Sequence, residues 1–161
     1  MRPEHRRFLV VDEVIGSSIV NFAINAALAW LTYRSLPSVP LYGRTSMAAD
    51  TVVTALVLPL LTALIATPLV RLGVARGKLP RPDAPLAPLA PRWRPRSSVA
   101  RGLLLGVASV LLVAAPCVLV FALVGPASLP AARFIWVKAS FAAALGALVT
   151  PLVGWWALHD S

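Results

Sequence analysis

Long stretches without a charged residue constrain the fold of this chain more than any other feature. Uncharged runs of 20, 20, 31 and 21 residues lie between Glu13 and Arg34, Asp50 and Arg71, Arg101 and Arg133, and Lys138 and Asp160. An α-helix of about 20 residues rises about 30 Å, the thickness of the hydrocarbon core of a bilayer. The third run exceeds one span, but Gly125, Pro126 and Pro130 favour a turn within it. The sequence therefore predicts four transmembrane helices.

The composition agrees with a membrane protein. Hydrophobic residues make up 58% of the chain and charged residues 13%, against roughly 45–50% and 25% in soluble proteins. The predicted fold class is all-α: a polytopic, single-domain membrane protein with spans at about 14–33, 47–70, 99–124 and 134–158. Because the connections within the first and second pairs are short, we expect two antiparallel hairpins whose helices pack as neighbours. The first span is longer than the about 7–15 apolar residues of a signal peptide, which predicts that it is retained.

Basic residues are concentrated on one side of the predicted membrane. Eleven of the fifteen precede the first span, lie between the second and third, or lie in the first turn of the third: Arg2, Arg6, Arg7, Arg71, Arg76, Lys78, Arg81, Arg92, Arg94, Arg96 and Arg101. The positive-inside rule places both termini and the connector 71–98 in the cytoplasm, with the protein in the inner (plasma) membrane. This orientation explains the net charge of +9 better than nucleic-acid binding does. The eight residues from Arg71 to Arg101 are expected to contact anionic lipid headgroups, at roughly 1 kcal/mol each.

The cytoplasmic connector contains prolines at a strict interval of three: Pro82, Pro85, Pro88 and Pro91. Polyproline II has three residues per turn, so the four rings would lie along one edge of an extended rod. Such a segment is typical of a stiff spacer, and a docking ligand for an aromatic groove is the alternative.

A short sequence echo indicates an internal repeat. The second predicted span ends ALIATPLVRLG and the fourth ends GALVTPLVGWW, so both contain TPLV near the same end. Two hairpins in the same orientation would be parallel repeats about an axis along the membrane normal.

Polar residues recur every fourth position through the first span. Glu13, Ser17, Asn21 and Asn25 form a stripe that drifts slowly around one side of a helix. An unpartnered amide in the bilayer costs several kcal/mol, so both asparagines should face other helices or water. In the first interpretation they hydrogen-bond across the bundle and fix helix register. In the second, they line a polar path that begins at Glu13.

Three further residues extend the candidate path. Asp50 lies at the start of the second span, where the helix dipole favours a carboxylate, and Thr54 follows one turn deeper. Lys138 lies about a turn inside the fourth span. If the two TPLV segments are level, Lys138 is offset from Asp50 by five residues, about 7.5 Å of rise, which a lysine side chain bridges. The spacing therefore predicts an Asp50–Lys138 ion pair.

The ten residues EVIGSSIVNF, 13 to 22, resemble the first helix of the small multidrug resistance transporters, which also have four helices. The resemblance implies that Glu13 binds protons and cationic drugs in exchange. It covers these ten residues, and the later helices and the Pro-rich connector have no counterpart in that family.

The chemistry-bearing residues do not form an enzyme constellation. His5 and His159 are near opposite termini, Cys117 is a single thiol, and no glycine-rich phosphate loop is present. We therefore expect no catalysis, no metal site and no cofactor. The sequence favours a non-catalytic membrane component: a scaffold, an accessory protein, or a protein that binds lipid or a partner. The alternative is a small proton-coupled exporter that works as a dimer or larger oligomer, with Glu13 and the Asn21/Asn25 stripe lining its path.

Overall fold

The computed structural model describes residues 14–79 and 97–159. This part of the chain is mostly helical, and it contains four helices long and apolar enough to cross a membrane. The helices are α1 (Ser17–Tyr33), α2 (Met47–Ala75), α3 (Ser98–Ser109), α4 (Ala115–Val124) and α5 (Ala131–Leu158). A π-helical segment, Val110–Ala114, joins α3 and α4 into the third span, Ser98–Val124. Two short strands, β1 (Ser38–Pro40) and β2 (Ser128–Pro130), lie in the loops that follow α1 and α4.

The second span begins at a side-chain cap and extends beyond its predicted end. The Ser46 hydroxyl accepts a hydrogen bond from the Ala49 N–H at 3.2 Å and caps α2. The helix then continues through Pro59 and Pro68 to Ala75, five residues beyond the predicted end at residue 70. Prolines are tolerated inside a membrane helix because neighbouring helices compensate for the lost backbone hydrogen bonds. The connector between spans is correspondingly shorter than 71–98.

The two strands join the loops at one end of the bundle, which we call the ribbon end. They pair antiparallel, with Val39 opposite Leu129 and with Ser38 and Pro40 opposite Pro130 and Ser128. Val39 is fully buried and packs with Tyr33 and Phe134 of the adjoining helices. The opposite end, which we call the distal end, contains Val14 and the end of α5 at Leu158. The pairing therefore anchors all four spans at the ribbon end.

The helices do not pack in the order of the chain. The first span packs mainly against α5, the third packs mainly against α2, and α2 and α5 lie together in the centre. The expectation that the two helices of each hairpin pack as neighbours is therefore wrong, because α1 and α2 do not pack along their lengths and the third span makes little contact with α5. The loop between α1 and α2, residues 34–46, is long enough to allow their separation.

Small residues explain which helices pack together. A Cβ atom added at Gly146 of α5 would collide with the Asn21 side chain of α1. In α3, a Cβ at Gly102 would lie 2.7 Å from the Leu60 Cα atom, and one at Gly106 would lie 2.7 Å from the Leu56 carbonyl oxygen. Both of these α2 atoms belong to the backbone. Glycines permit such close approach, and close approach is what stabilises helix pairs in lipid.

The two halves of the bundle are arranged with approximate two-fold symmetry. The strand register is symmetric about the Val39–Leu129 pair, and the contact of the first span with α5 mirrors that of the third span with α2. Thr67 and Thr150, from the two TPLV segments, are both buried. This is the symmetry that the predicted parallel repeat requires. A common origin of the two halves stays a prediction.

Candidate functional site: a groove between the first two spans

A groove of about 730 Å³ lies between α1 and α2. It exists because these two helices are separated, and α5, which packs against both, forms its floor. At the distal end the groove is lined by Gly16, Val70 and Leu79, and at the ribbon end by Leu28 and Asp50. From residue 50 to residue 70, α2 rises about 30 Å. The groove therefore extends over about the thickness of the hydrocarbon core of a bilayer.

The groove brings together most of the polar residues singled out from the sequence. Six of the seven candidate path residues line it: Ser17, Asn21, Asn25, Asp50, Thr54 and Lys138. The seventh, Glu13, lies outside the described residues. The stripe on α1 thus faces the acid of α2 and the lysine of α5 across one shared space.

Apolar side chains form the two walls of the groove. Val20, Ile24 and Leu28 of α1 are about half exposed, and so are Val53, Leu61 and Ile65 of α2. In a bilayer these side chains border the hydrocarbon region, so the groove opens sideways toward lipid. Its polar groups lie between apolar walls, the usual composition of a site for a small apolar or amphipathic ligand.

The amides of the stripe are bonded within their own helix. Asn21 Nδ2 donates to the Ser17 carbonyl at 2.9 Å, and Asn25 Nδ2 donates to the Asn21 carbonyl at 3.0 Å. The expectation of amide hydrogen bonds across the bundle is therefore wrong for these donors, because a carbonyl one turn earlier is already within reach. The Ser17 hydroxyl lies 3.3 Å from the Val14 carbonyl of its own helical turn and 3.4 Å from the Gly146 carbonyl of α5, so its one proton is shared between a local and an interhelical acceptor.

A buried ion pair lies at the ribbon end of the groove. Lys138 Nζ donates to Asp50 Oδ1 at 2.6 Å, and the two side chains are 10% and 15% exposed, respectively. The Tyr33 hydroxyl donates to the same oxygen at 3.1 Å. The predicted Asp50–Lys138 pair is confirmed, and it links α2 to α5 while Tyr33 adds α1. Within the described part of the chain, Asp50 Oδ2 is buried without a hydrogen-bond partner.

Comparisons with known proteins find no match. No family model, no curated protein and no solved structure matches this chain. Its function is therefore inferred from the residues of the groove.

Two residues at the site were not singled out as candidates from the sequence. Thr150 lines the groove floor, is 7% exposed, and its buried hydroxyl has no partner among the described residues. Tyr33 does not line the groove, but its hydroxyl donates to Asp50 at the ribbon end. Its position across a short loop from the predicted start of the second span was the available signal.

The symmetry-related position on the other side of the bundle is almost filled. Between the third span and α5, with α2 as its floor, lies a cavity of about 100 Å³. Phe121, Phe134 and Phe141 occupy the corresponding space there. Helix packing of this kind therefore does not by itself leave a wide groove, and the groove between α1 and α2 is specific to that half.

The basic residues predicted to contact headgroups fall into three groups. Arg71, Arg76 and Lys78 are exposed near the distal end of α2. Arg101 is 2% exposed, so the expectation that it contacts headgroups is wrong. The others, Arg81, Arg92, Arg94 and Arg96, lie outside the described residues, together with the prolines of the connector.

Proposed function

We propose that this protein is a non-catalytic membrane component that binds the hydrocarbon chain of a lipid or lipid-like molecule in the groove between α1 and α2. The observation that carries the proposal is the groove itself, which is bordered by half-exposed apolar side chains of α1 and α2 and also contains polar side chains from α1, α2 and α5. In lipid, a space of this kind is occupied by whatever hydrocarbon fits it.

The size and length of the groove suit a chain-like occupant. Its volume of about 730 Å³ lies within the range of about 300–1,000 Å³ for small-molecule pockets. An extended hydrocarbon chain can lie along its length of about 30 Å.

A groove-blocking substitution tests this proposal. Val57 lies on the α2 wall and is 40% exposed, so Val57→Trp extends an indole into the groove without overfilling a buried core. In proteoliposomes containing a phosphatidylcholine with a diazirine on its acyl chain, we expect illumination to label α1 and α2 groove residues of the wild type. Val57→Trp should lose most of this label.

The matched control is Leu112→Trp. Leu112 is 76% exposed in the third span and does not line the groove, so this variant adds the same indole to a lipid-facing surface elsewhere. It should keep the wild-type labelling. Equal labelling of the groove residues in all three proteins would overturn the proposal, because ordinary lipid contact would then explain the signal.

We propose further that both termini and the connector face the cytoplasm, with the protein in the inner membrane. The bias of eleven basic residues against four, Arg34, Arg44, Arg133 and Lys138, supports this orientation. Cytoplasmic reporters fused at residue 1 and at residue 161 should both be active, and an export-dependent reporter inserted after Gly43 should be active as well. Termini on opposite faces would contradict the orientation. In this orientation Arg71, Arg76 and Lys78 lie at the cytoplasmic surface, where anionic headgroups attract basic residues.

A second candidate function is a small proton-coupled exporter. The observation that favours it is the shared groove, since six residues of the candidate polar path line one space. Four helices enclose little path alone, so this function calls for a dimer or larger oligomer. Movement of a bound probe across proteoliposome membranes along a proton gradient would favour export over binding.

A further inference from the structure

The polar side chains of the groove indicate a more specific ligand. This inference rests on the proposed lipid-binding function. We propose that the groove selects a neutral lipid with a hydroxyl group within its chain region. Three residues carry this inference: Asn21, Asn25 and Thr150, which all line the groove.

The free hydrogen-bonding atoms of the two asparagines are acceptors. Both Nδ2 atoms already donate to backbone carbonyls of α1, and only an N–H group can donate to a carbonyl, which determines the orientation of each amide. The Oδ1 atoms accept no hydrogen bond from the described residues, and each can accept one from a ligand. A plain acyl chain offers no donor to them.

Thr150 adds a hydroxyl that can both donate and accept. Its Oγ1 atom is buried and has no partner within residues 14–79 and 97–159, and the residue is 7% exposed. A ligand hydroxyl matches Asn21 and Thr150 together, because it can donate to the Asn21 amide oxygen and accept from Thr150. Asn25 offers a second amide acceptor one turn further along the groove. An ether or ester oxygen accepts but does not donate, so it leaves the amide oxygens unsatisfied. An ammonium group donates but does not accept.

Asn21 and Thr150 lie within about one helical turn of each other along the groove. Gly146 of α5 packs against Asn21, and Thr150 follows Gly146 by four residues, about 6 Å of helix rise toward the distal end, whereas Asn25 lies about 6 Å beyond Asn21 toward the ribbon end. Asn21 follows Val14 by seven residues, about 10 Å, and Thr150 precedes Leu158 by eight residues, about 12 Å. One leaflet of the hydrocarbon core is about 15 Å deep. A lipid whose headgroup stays at the distal surface therefore places the middle or end of its chain, not its headgroup, beside these residues.

A pair of probes that differ only in the donor tests this inference. Methyl 12-hydroxystearate and methyl 12-methoxystearate have the same chain, and only the first has an O–H group. We expect the purified protein in nanodiscs to bind the hydroxy ester about tenfold more tightly than the methoxy ester, the effect of one or two well-placed hydrogen bonds. Competition with a radiolabelled hydroxy ester measures both affinities.

Two variants remove hydrogen-bonding groups from the groove while replacing each side chain by an apolar one of similar size. In Asn21→Leu/Asn25→Leu the acceptors are lost, and in Thr150→Val only the hydroxyl is lost. The double asparagine variant should bind the two esters with similar affinity. Thr150→Val keeps the amide acceptors, so it should bind both esters more weakly and retain the preference for the hydroxy ester. The control Thr32→Val removes a hydroxyl that donates to the Leu28 carbonyl of α1 and does not line the groove, so it should keep the wild-type preference. Thermal unfolding confirms that each variant is folded.

The outcomes separate this inference from the proposed function. If the wild type binds both esters equally and Val57→Trp binds neither, the groove holds plain chains, and the preference for a hydroxyl group is overturned. If Val57→Trp binds both esters as the wild type does, or if the wild type binds neither, lipid binding in the groove is overturned as well. A preference that persists in the double asparagine variant would overturn the inference, because it would show that the amide oxygens do not accept a hydrogen bond from the ligand hydroxyl.

Discussion

Lys138→Met should lower the free energy of unfolding by about 3–5 kcal/mol, the usual cost of removing one partner from a buried ion pair. The loss leaves the Asp50 carboxylate, whose side chain is 15% exposed, with Tyr33 as its only remaining hydrogen-bond donor among the described residues. Desolvation of that charge is then no longer offset. Denaturant-induced unfolding of the purified protein in micelles, followed by circular dichroism, measures the change.

Two further variants distinguish the loss of the ion pair from a non-specific loss of stability. Arg133→Met removes an exposed cation from the first turn of the same helix, and it should change the free energy of unfolding by less than about 1 kcal/mol. Asp50→Asn/Lys138→Met removes both charges and retains a carbonyl oxygen that accepts from Tyr33. This double variant should recover most of the lost stability. Equal destabilisation by Arg133→Met and Lys138→Met would show that the ion pair is not the cause.

The presence of the four helices could be predicted from the sequence because it depends on local properties. A run such as residues 51–70 contains no charge, and its length is determined by the bilayer. The Asp50–Lys138 pair was also predictable, since unpaired charges in lipid are costly and only these two opposite charges lie about one turn inside the spans at that end. Both conclusions rest on strong energetic penalties that hold for many packing arrangements.

The pairing of helices could not be predicted, because it depends on small differences in shape. Apolar spans resemble one another in composition, and glycines occur in several of them. That Gly146 faces Asn21, and that Gly102 and Gly106 face α2, becomes evident only when the helices are assembled. The groove follows from that assembly: the stripe Ser17–Asn21–Asn25 predicted a side of α1 that faces helices or water, but not that α2 would stand away from it.

The two-fold arrangement shows where the halves of the bundle differ. Both halves place a span against the central α2–α5 pair, but one half fills the resulting space with phenylalanine rings and the other leaves about 730 Å³. A cavity lined only by apolar groups would collapse or fill with lipid without selectivity. The asparagines and Thr150 add hydrogen-bonding requirements to the open half, which is how a site in lipid can discriminate between ligands of similar apolarity.

Gly106→Ala should lower the free energy of unfolding by about 1–3 kcal/mol, although alanine is the better helix former by about 0.5–1 kcal/mol. The added methyl group would lie 2.7 Å from the Leu56 carbonyl oxygen. That atom belongs to the backbone of α2 and cannot move aside, so the third span and α2 must separate and lose contact along their interface. The same unfolding measurement in micelles gives the size of the effect.

Gly73→Ala is the matched control for this close contact. It makes the same substitution inside α2, but the new methyl group would meet the Leu79 Cδ1 atom at 2.9 Å. That atom is the end of a flexible side chain, and a rotamer change can relieve the contact. Gly73→Ala should therefore be neutral or slightly stabilising, as helix propensity alone predicts. If both variants unfold at the same denaturant concentration as the wild type, the close contact between the third span and α2 does not depend on glycine. That result would contradict the explanation of helix pairing by small residues.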